Sequence, residues 1–158
     1  MSESKTNAMR ILDKQKVKYT VHEYPHGNGA VDALTVAESM GEPPEAVFKT
    51  LVTKGLSGNY FVFVLPSCNE LDLKKAAKAA GEKAVEMIPV SEINKVTGYI
   101  RGGCSPVGMK KSYATFFAEQ ALSRENIFVS GGRIGSQIEA APADLIAAVN
   151  GKTADITA

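Results

Sequence analysis

Tryptophan is absent from this sequence of 158 residues, and cysteine and histidine each occur only twice. Cys68 and Cys104 form neither a metal-binding spacing nor a Cys-x-x-Cys redox motif, so the sequence does not indicate a zinc site or a disulfide framework. His22 and His26 add too few ligands for a metal centre. We therefore predict that the protein binds no metal and that both cysteines are reduced thiols.

Long apolar runs are also missing. No run approaches the roughly 18 residues that a membrane-spanning helix needs, and the first residues lack the basic and apolar regions of a signal peptide. The hydrophobic content of 44% and the charged content of 22% are typical of a globular protein. We predict a cytoplasmic protein with no membrane contact and a single domain over residues 1–158.

A strong net charge is lacking as well, since the formal value is only +1. The charges are nevertheless unevenly distributed along the chain. Residues 49–111 carry ten basic and five acidic side chains, whereas residues 1–48 carry five and seven, and residues 112–158 carry three and five. The basic middle third is compatible with an anionic ligand, and it is equally compatible with a solvated helix face.

The hydrophobic pattern predicts irregularly alternating helices and strands. Several strand pairs are joined by connections that are too short for parallel crossovers. There is no Gly-x-Gly-x-x-Gly motif after a strand and no Walker-type loop, so a doubly wound nucleotide-binding fold is not favoured. We predict an α/β (α+β) fold with a mixed, mostly antiparallel sheet that curls toward a barrel and has helices packed around it. The predicted helices cover residues 6–16, 36–40, 72–80, 91–96 and a segment from 142, and the predicted strands cover residues 17–24, 47–53, 60–65, 84–88, 113–117, 127–130 and 134–139.

One stretch stands out from this regular alternation, because it contains three glycines and a proline within eight residues, Arg101-Gly102-Gly103-Cys104-Ser105-Pro106-Val107-Gly108. Glycines let a ligand approach the backbone closely. The loop is either a tight connection before a strand or a set of backbone N–H donors for a carbonyl or phosphate oxygen. Cys104 has no activating base near it in sequence, so a nucleophilic role is not favoured.

Lys49 interrupts an apolar run at the start of a predicted central strand. An unpaired buried ammonium is costly, so this lysine reaches solvent at the strand end or faces a pocket, where it could bind a phosphate or carboxylate. Ser105 and Ser130 lie beside glycines, but neither has the Gly-x-Ser-x-Gly frame of a hydrolase nucleophile.

Several blocks of the sequence, taken in order, resemble the YbaK/ProX family of bacterial aminoacyl-tRNA trans-editing proteins. The blocks are residues 48–52, 70–78, 85–87, 97–99, 102–108 and 129–132, and the match runs from about residue 8 to about residue 149. The resemblance implies the YbaK/ProX-like editing-domain fold and a free-standing hydrolase that removes a wrong amino acid from the 3′ end of a charged tRNA. The best-known branch acts on Cys-tRNA(Pro).

The resemblance also implies a set of site residues. It places Lys49 at the active site, where this lysine positions the ester without becoming a covalent nucleophile, together with Gly102 and Ser130. Substrate-binding positions carried over from the family are Tyr24, Gly103, Ser105, Pro106, Gly131 and Gln137. The Cys-tRNA(Pro) branch usually has an aspartate where this chain has Gln137, which leaves the identity of the removed amino acid open.

The resemblance implies no cofactor, because positioning and an oxyanion-stabilising loop suffice for an aminoacyl ester. In the Cys branch the substrate's own thiol attacks its ester, and for other amino acids a bound water must attack. The expected partners are a mischarged tRNA and, as a further candidate, prolyl-tRNA synthetase, with no DNA. The tRNA phosphates are expected at a basic surface of Lys74, Lys75, Lys78, Lys110 and Lys111. A non-catalytic module that binds aminoacyl-tRNA ends or a synthetase remains the alternative.

Overall fold

A computed structural model of the chain describes residues 5–27, 29 and 31–158. These residues contain five α-helices, eight strands and two short 3-10 helices at Val90–Glu92 and Glu119–Ser123. The helices are α1 (Asn7–Lys14), α2 (Ala33–Met40), α3 (Leu73–Ala80), α4 (Ile93–Thr97) and α5 (Pro142–Ala148). The strands are β1 (Thr20–Glu23), β2 (Phe48–Gly55), β3 (Tyr60–Pro66), β4 (Val85–Met87), β5 (Ala114–Ala118), β6 (Ile127–Ser130), β7 (Ser136–Ala140) and β8 (Lys152–Ala154).

The strands form two sheets. The larger has the order β4-β2-β3-β5-β8, and the smaller has the order β1-β7-β6. Four strand pairs are antiparallel, whereas β3–β5 and β5–β8 are parallel. A parallel bridge between Val47 and Phe128 links the start of β2 to β6. The predicted mixed, mostly antiparallel arrangement is confirmed, and the described strands are divided between two linked sheets without closing into a barrel.

The main core lies on β3, whose residues from Phe61 to Pro66 are all buried. The strand predicted over residues 60–65 is thus confirmed, and its continuous apolar run is the pattern expected of a strand covered on both faces. Phe63 of β3 stacks on Phe116 of β5 with ring centroids 5.5 Å apart. A smaller apolar cluster covers one face of the β1-β7-β6 sheet, and its buried members are Tyr24, Val36, Ala37, Ala46, Val47 and Phe128.

Local sequence signals explain the ends of the helices. Asp72 caps α3, since its Oδ1 accepts hydrogen bonds from the N–H groups of Lys74 at 2.9 Å and Lys75 at 3.0 Å. Gly81 ends α3 in the left-handed conformation at φ 72°. The α2 helix begins three residues before the predicted start. Thr35 precedes the helix predicted over residues 36–40, so it is the expected cap. The observed cap is Asp32, whose carboxylate accepts from the Thr35 N–H and hydroxyl.

Three strand predictions need correction. β1 starts at Thr20 and not at residue 17, because the Val17 N–H bonds the Leu12 carbonyl at 2.9 Å and continues the turn that ends α1. β7 starts at Ser136, since the chain first turns through Gly135 at φ 91°. β8 was not predicted, because its short segment lacks an alternating pattern and depends on the edge of β5 for its pairing.

Ser91 is the first residue of the helix predicted over residues 91–96, and serine is a common cap at that position, so it is the expected cap. It lies inside the short 3-10 helix before α4, and its side chain makes no capping hydrogen bond. Among the described residues, no helix is long and apolar enough to cross a membrane.

Candidate active site

A cavity of about 420 Å³ opens where the start of β2 meets the glycine loop and the β1-β7-β6 sheet. One wall is five consecutive residues of β2, from Phe48 to Val52. The opposite walls come from the glycine loop, the ends of β6 and β7, Tyr24 and the start of α2. The cavity thus brings together five residues proposed from the sequence, namely Lys49, Gly102, Ser130, Tyr24 and Gln137.

Gln137 lies at the centre of the smaller sheet. It pairs with His22 on one side and with Ser130 on the other. The residue is 5% exposed, and its Oε1 has no hydrogen-bond partner among the described residues. The hydroxyl of Tyr24 is likewise buried and has no partner within the described part of the chain. Buried polar atoms are nearly always paired, so both side chains are suited to a ligand that supplies the missing partners.

Lys49 is half-buried in the cavity wall. No carboxylate of the described residues lies within salt-bridge distance of its ammonium. Burial lowers the pKa of Lys49 from its ordinary value, and the Glu70 carboxylate and Cys68 oppose this shift. The side chain is therefore a point charge without a partner, and it can bind a phosphate or an ester oxygen.

The glycine loop is held rigidly by its own buried groups. The Gly103 N–H bonds the Ile100 carbonyl at 2.9 Å. A Cβ atom at Gly103 would lie 2.9 Å from backbone atoms of Arg133 and Ile134, so only glycine allows this close approach. The Tyr99 hydroxyl donates to the Val107 carbonyl at 2.6 Å, and the Ser105 hydroxyl accepts from the Val107 N–H at 3.2 Å.

The two ends of the loop face different cavities. Arg101, Gly102 and Cys104 line the cavity described above. The N–H groups of Gly102 and Cys104 have no hydrogen-bond acceptor among the residues that the structure describes. Pro106 and Gly108 instead line a second cavity of about 620 Å³. Gly103 and Ser105 are buried within the loop and line neither of these two cavities.

Cys104 is not suited to act as a nucleophile. Burial raises the pKa of its thiol to about 11, and the hydrogen bond with Thr97 only partly opposes this shift. At neutral pH the sulfur is therefore protonated. No serine, threonine or cysteine side chain in the described ranges is hydrogen-bonded to a histidine, and His22 is paired with Glu139 at 2.8 Å.

Ser130 begins a second turn with two glycines. Its hydroxyl oxygen accepts from the Gly132 N–H at 3.2 Å, which leaves the hydroxyl proton available for a ligand. Gly131 supports this turn from behind, since its N–H bonds the Ser136 carbonyl at 2.9 Å and its carbonyl accepts from the Thr6 hydroxyl. Gly131 does not line the cavity.

The five lysines proposed for tRNA binding lie outside this cavity. Lys74, Lys75 and Lys78 are on α3, and the Lys75 ammonium is bound to Asp155 at 3.2 Å and to the Thr157 carbonyl at 2.8 Å. The Lys110 ammonium donates to the Lys95 carbonyl at 3.2 Å. Lys111 lines the second cavity.

Three polar residues that line the cavity were not proposed from the sequence as site residues, namely Asp32, Thr50 and Arg101. Thr50 has a buried hydroxyl without a partner among the described residues. Its neighbour Lys49 stood out because a charge interrupts an apolar run, whereas a threonine in a strand gives no such signal. Within the described residues, no group of three or more histidine, cysteine, aspartate or glutamate side chains is placed to hold a metal ion.

Fold and cavity together define an α/β protein whose site offers one lysine and several unpaired backbone and side-chain groups. The chain belongs to the aminoacyl-tRNA editing domain family, whose model matches residues 28–148. It is 47% identical to the Enterococcus faecalis protein named "Putative Cys-tRNA(Pro)/Cys-tRNA(Cys) deacylase EbsC", over 99% of this chain and 95% of that protein.

Two further relatives point in the same direction. The crystal structure of a "putative trans-editing enzyme for prolyl tRNA synthetase" superposes with a TM-score of 0.82 at 25% identity, covering 99% of each chain. A proline–tRNA ligase of Fervidobacterium nodosum is 29% identical over 77% of this chain, which corresponds to 20% of the ligase. The family and fold expected from the sequence resemblance are thus confirmed.

Proposed function

We propose that this protein is an aminoacyl-tRNA deacylase that acts in trans, as one editing domain over residues 1–158. Its most suitable substrate is Cys-tRNA(Pro) or another misacylated tRNA(Pro). The observation that carries the proposal is the cavity lined by the Lys49 side chain, by the Gly102 and Cys104 backbone and by buried side-chain oxygens, none of which has a partner among the described residues. The 47% identity to the protein named as a Cys-tRNA(Pro)/Cys-tRNA(Cys) deacylase supports the same activity.

The proposed mechanism depends on positioning. Lys49 binds the 3′ end of the tRNA, and the Gly102 N–H donates to the ester carbonyl, where negative charge develops during attack. Ser130 and Gln137 orient the aminoacyl group. Water, or the thiol of a cysteinyl substrate, attacks the carbonyl carbon. The bond to the ribose oxygen then breaks, and this oxygen leaves with a proton as the free hydroxyl of the tRNA.

The decisive experiment measures deacylation of Cys-, Ala- and Ser-charged tRNA(Pro) by the wild type and two lysine variants. Lys49→Ala should reduce kcat/KM by about 100-fold, the scale expected when the reacting ester is no longer held in position. Lys54→Ala is the matched control, because Lys54 lies on the same strand but is exposed and does not line the cavity. Its ammonium lies 5.7 Å from the centroid of the Tyr60 ring. The kcat/KM of this control should stay within about twofold of wild type, as for other surface substitutions.

Full activity of Lys49→Ala would contradict the proposed mechanism. The alternative is a non-catalytic binding module. It would be identified if the protein binds charged tRNA saturably while the half-life of the ester stays at its value in buffer alone.

We also propose that the tRNA acceptor stem contacts the surface formed by Lys74, Lys75, Lys78, Lys110 and Lys111. Phosphate contacts by lysines supply most non-specific affinity for nucleic acid. Prolyl-tRNA synthetase is the proposed protein partner. The similarity of this chain to one fifth of a proline–tRNA ligase supports this partner, because it links the same domain to the enzyme that charges tRNA(Pro).

A further inference from the structure

The cavity lies against the edge of β2 and not against one of its faces. Successive side chains of a strand point to opposite faces, so a ligand lying on one face would contact every second residue. All five residues from Phe48 to Val52 line the cavity. Only a position beside the strand, at the level of its backbone, touches five residues in succession.

This edge of β2 is occupied at both ends and open in the middle. At one end, the Phe128 N–H bonds the Ala46 carbonyl at 2.9 Å. At the other end, the Ile88 N–H bonds the Val52 carbonyl at 3.2 Å, where the pairing of β2 with β4 stops. Among the described residues, no segment pairs with Thr50 at this edge.

The alternation of the strand shows which backbone groups face the opening. Main-chain groups of successive residues point to opposite edges. Ala46 and Val52 bond partners at the open edge. Thr50 lies four residues after Ala46 and two before Val52, an even spacing from both, so its N–H and C=O groups point to the same edge. Thr53 belongs to the other set, which faces β3.

We propose that the aminoacyl group of the substrate binds this open edge as one residue of a neighbouring strand would. Its α-ammonium donates to the Thr50 carbonyl, and its ester carbonyl accepts from the Thr50 N–H. This is the paired exchange of two hydrogen bonds between residues of antiparallel strands. The proposal rests on the deacylase function and adds how the amino acid is held.

The consequence is a site that recognises what all amino acids share. The main chain of Thr50 binds the α-ammonium and the ester carbonyl of the substrate. Other residues of the cavity contact the side chain of the substrate. The ester carbonyl has a second lone pair, which remains available for the Gly102 N–H. The enzyme should therefore require a free α-ammonium for any amino acid that it removes.

The first test compares alanyl-tRNA(Pro) with lactyl-tRNA(Pro), in which a hydroxyl replaces the ammonium at nearly the same size. We expect kcat/KM for the lactyl ester to be at least about tenfold lower, because a charge-assisted hydrogen bond is lost. Equal values for the two esters would overturn the proposal while leaving the deacylase function intact. Failure to hydrolyse any aminoacyl-tRNA(Pro) would reject the deacylase function itself.

The second test observes the backbone directly by amide hydrogen exchange in the wild-type protein. The probe is 3′-alanylamino-3′-deoxyadenosine, whose amide linkage resists hydrolysis. Saturating probe should slow exchange of the Thr50 N–H at least about tenfold, because this donor gains an acceptor. The Thr53 N–H is the internal control. Protection at Gly102 without protection at Thr50, or no protection at either residue, would overturn the proposal.

Discussion

The polar groups of helix α3 and those of the cavity wall differ in whether they have hydrogen-bond partners. On α3, the Asp72 carboxylate accepts two backbone N–H groups, the Gly81 N–H closes the C-terminal turn, and the Lys75 ammonium binds Asp155 and a carbonyl. In the cavity wall, the buried oxygens of Tyr24, Thr50 and Gln137 have no partners among the described residues.

The difference separates stability from function. A paired polar group contributes about 1 kcal/mol to folding, whereas a buried group without a partner costs about 1–3 kcal/mol. The α3 pairs thus help to hold the fold. The cavity groups lower the stability of the empty protein, and a ligand that supplies their partners recovers that cost. Four measurements test this contrast between paired and unpaired polar groups.

The largest expected effect concerns Cys104, which lines the cavity but is kept neutral by burial. A pKa raised from 9.0 to about 11 lowers its thiolate fraction at pH 8 about 100-fold relative to an ordinary cysteine. Mass spectrometry after iodoacetamide treatment should therefore find Cys104 alkylated at least that much more slowly in the native protein than in urea.

Cys68 is exposed and serves as the control in the same sample. Since the folded-state pKa of Cys104 is raised, the stability that it contributes is complete below about pH 9 and declines as the pH rises toward about 11. If Cys104 in the native protein is alkylated as fast as Cys68, its thiol is accessible to the reagent and ionises like that of an exposed cysteine.

The second prediction removes a paired group from α3. Asp72→Ala should lower the free energy of unfolding in urea by about 1–2 kcal/mol, because two backbone N–H groups lose their cap. Asp144→Ala is the control, since Asp144 lies in the first turn of α5 and makes no capping bond. Deacylation by folded Asp72→Ala should equal that of the wild type. A large loss of kcat/KM would show that α3 contributes to the site.

The third prediction compares two threonines of β2. Thr50→Val removes a buried hydroxyl without a partner, so the free energy of unfolding should rise, by up to about 1 kcal/mol. Thr53→Val removes a buried hydroxyl that donates to the Phe61 carbonyl at 3.1 Å, so the same quantity should fall by about 1 kcal/mol. Destabilisation of equal size in both variants would mean that Thr50 is satisfied in the free protein.

The smallest effect is expected on the surface of α3. Changing Lys74, Lys75 and Lys78 together to alanine should weaken tRNA affinity a few-fold and flatten its salt dependence, by up to about 0.9 in log–log slope for each lost phosphate contact. The control with the same change in net charge replaces the exposed residues Lys16, Lys18 and Lys152, none of which lines either of the two cavities described above. If both triple variants show the same salt dependence of tRNA affinity, the α3 lysines are solvated surface residues that do not contact tRNA.

Much of the fold could be predicted because its causes are local in the chain. The sequence of α3 contains its own cap at Asp72, its apolar stripe and its stop at Gly81. The run of β3 is apolar throughout, as a strand buried on both faces requires. Lys49 could be singled out because a charge in an apolar run needs an explanation. β8 could not be predicted, since its pairing is supplied by a distant strand.

The sequence by itself determined both ends of α3, the buried strand β3, and the two glycine turns that allow close approach of the backbone. Only the tertiary structure decided which groups meet. It directed Gly102 to one cavity and Pro106 to another, although they are four residues apart. It also left Thr50 without a strand partner at one edge of β2 among the described residues, because β6 and β4 meet that edge only before and after this residue. The physical reason is that propensities and caps act between neighbours in sequence, whereas an unpaired edge depends on where distant segments stop.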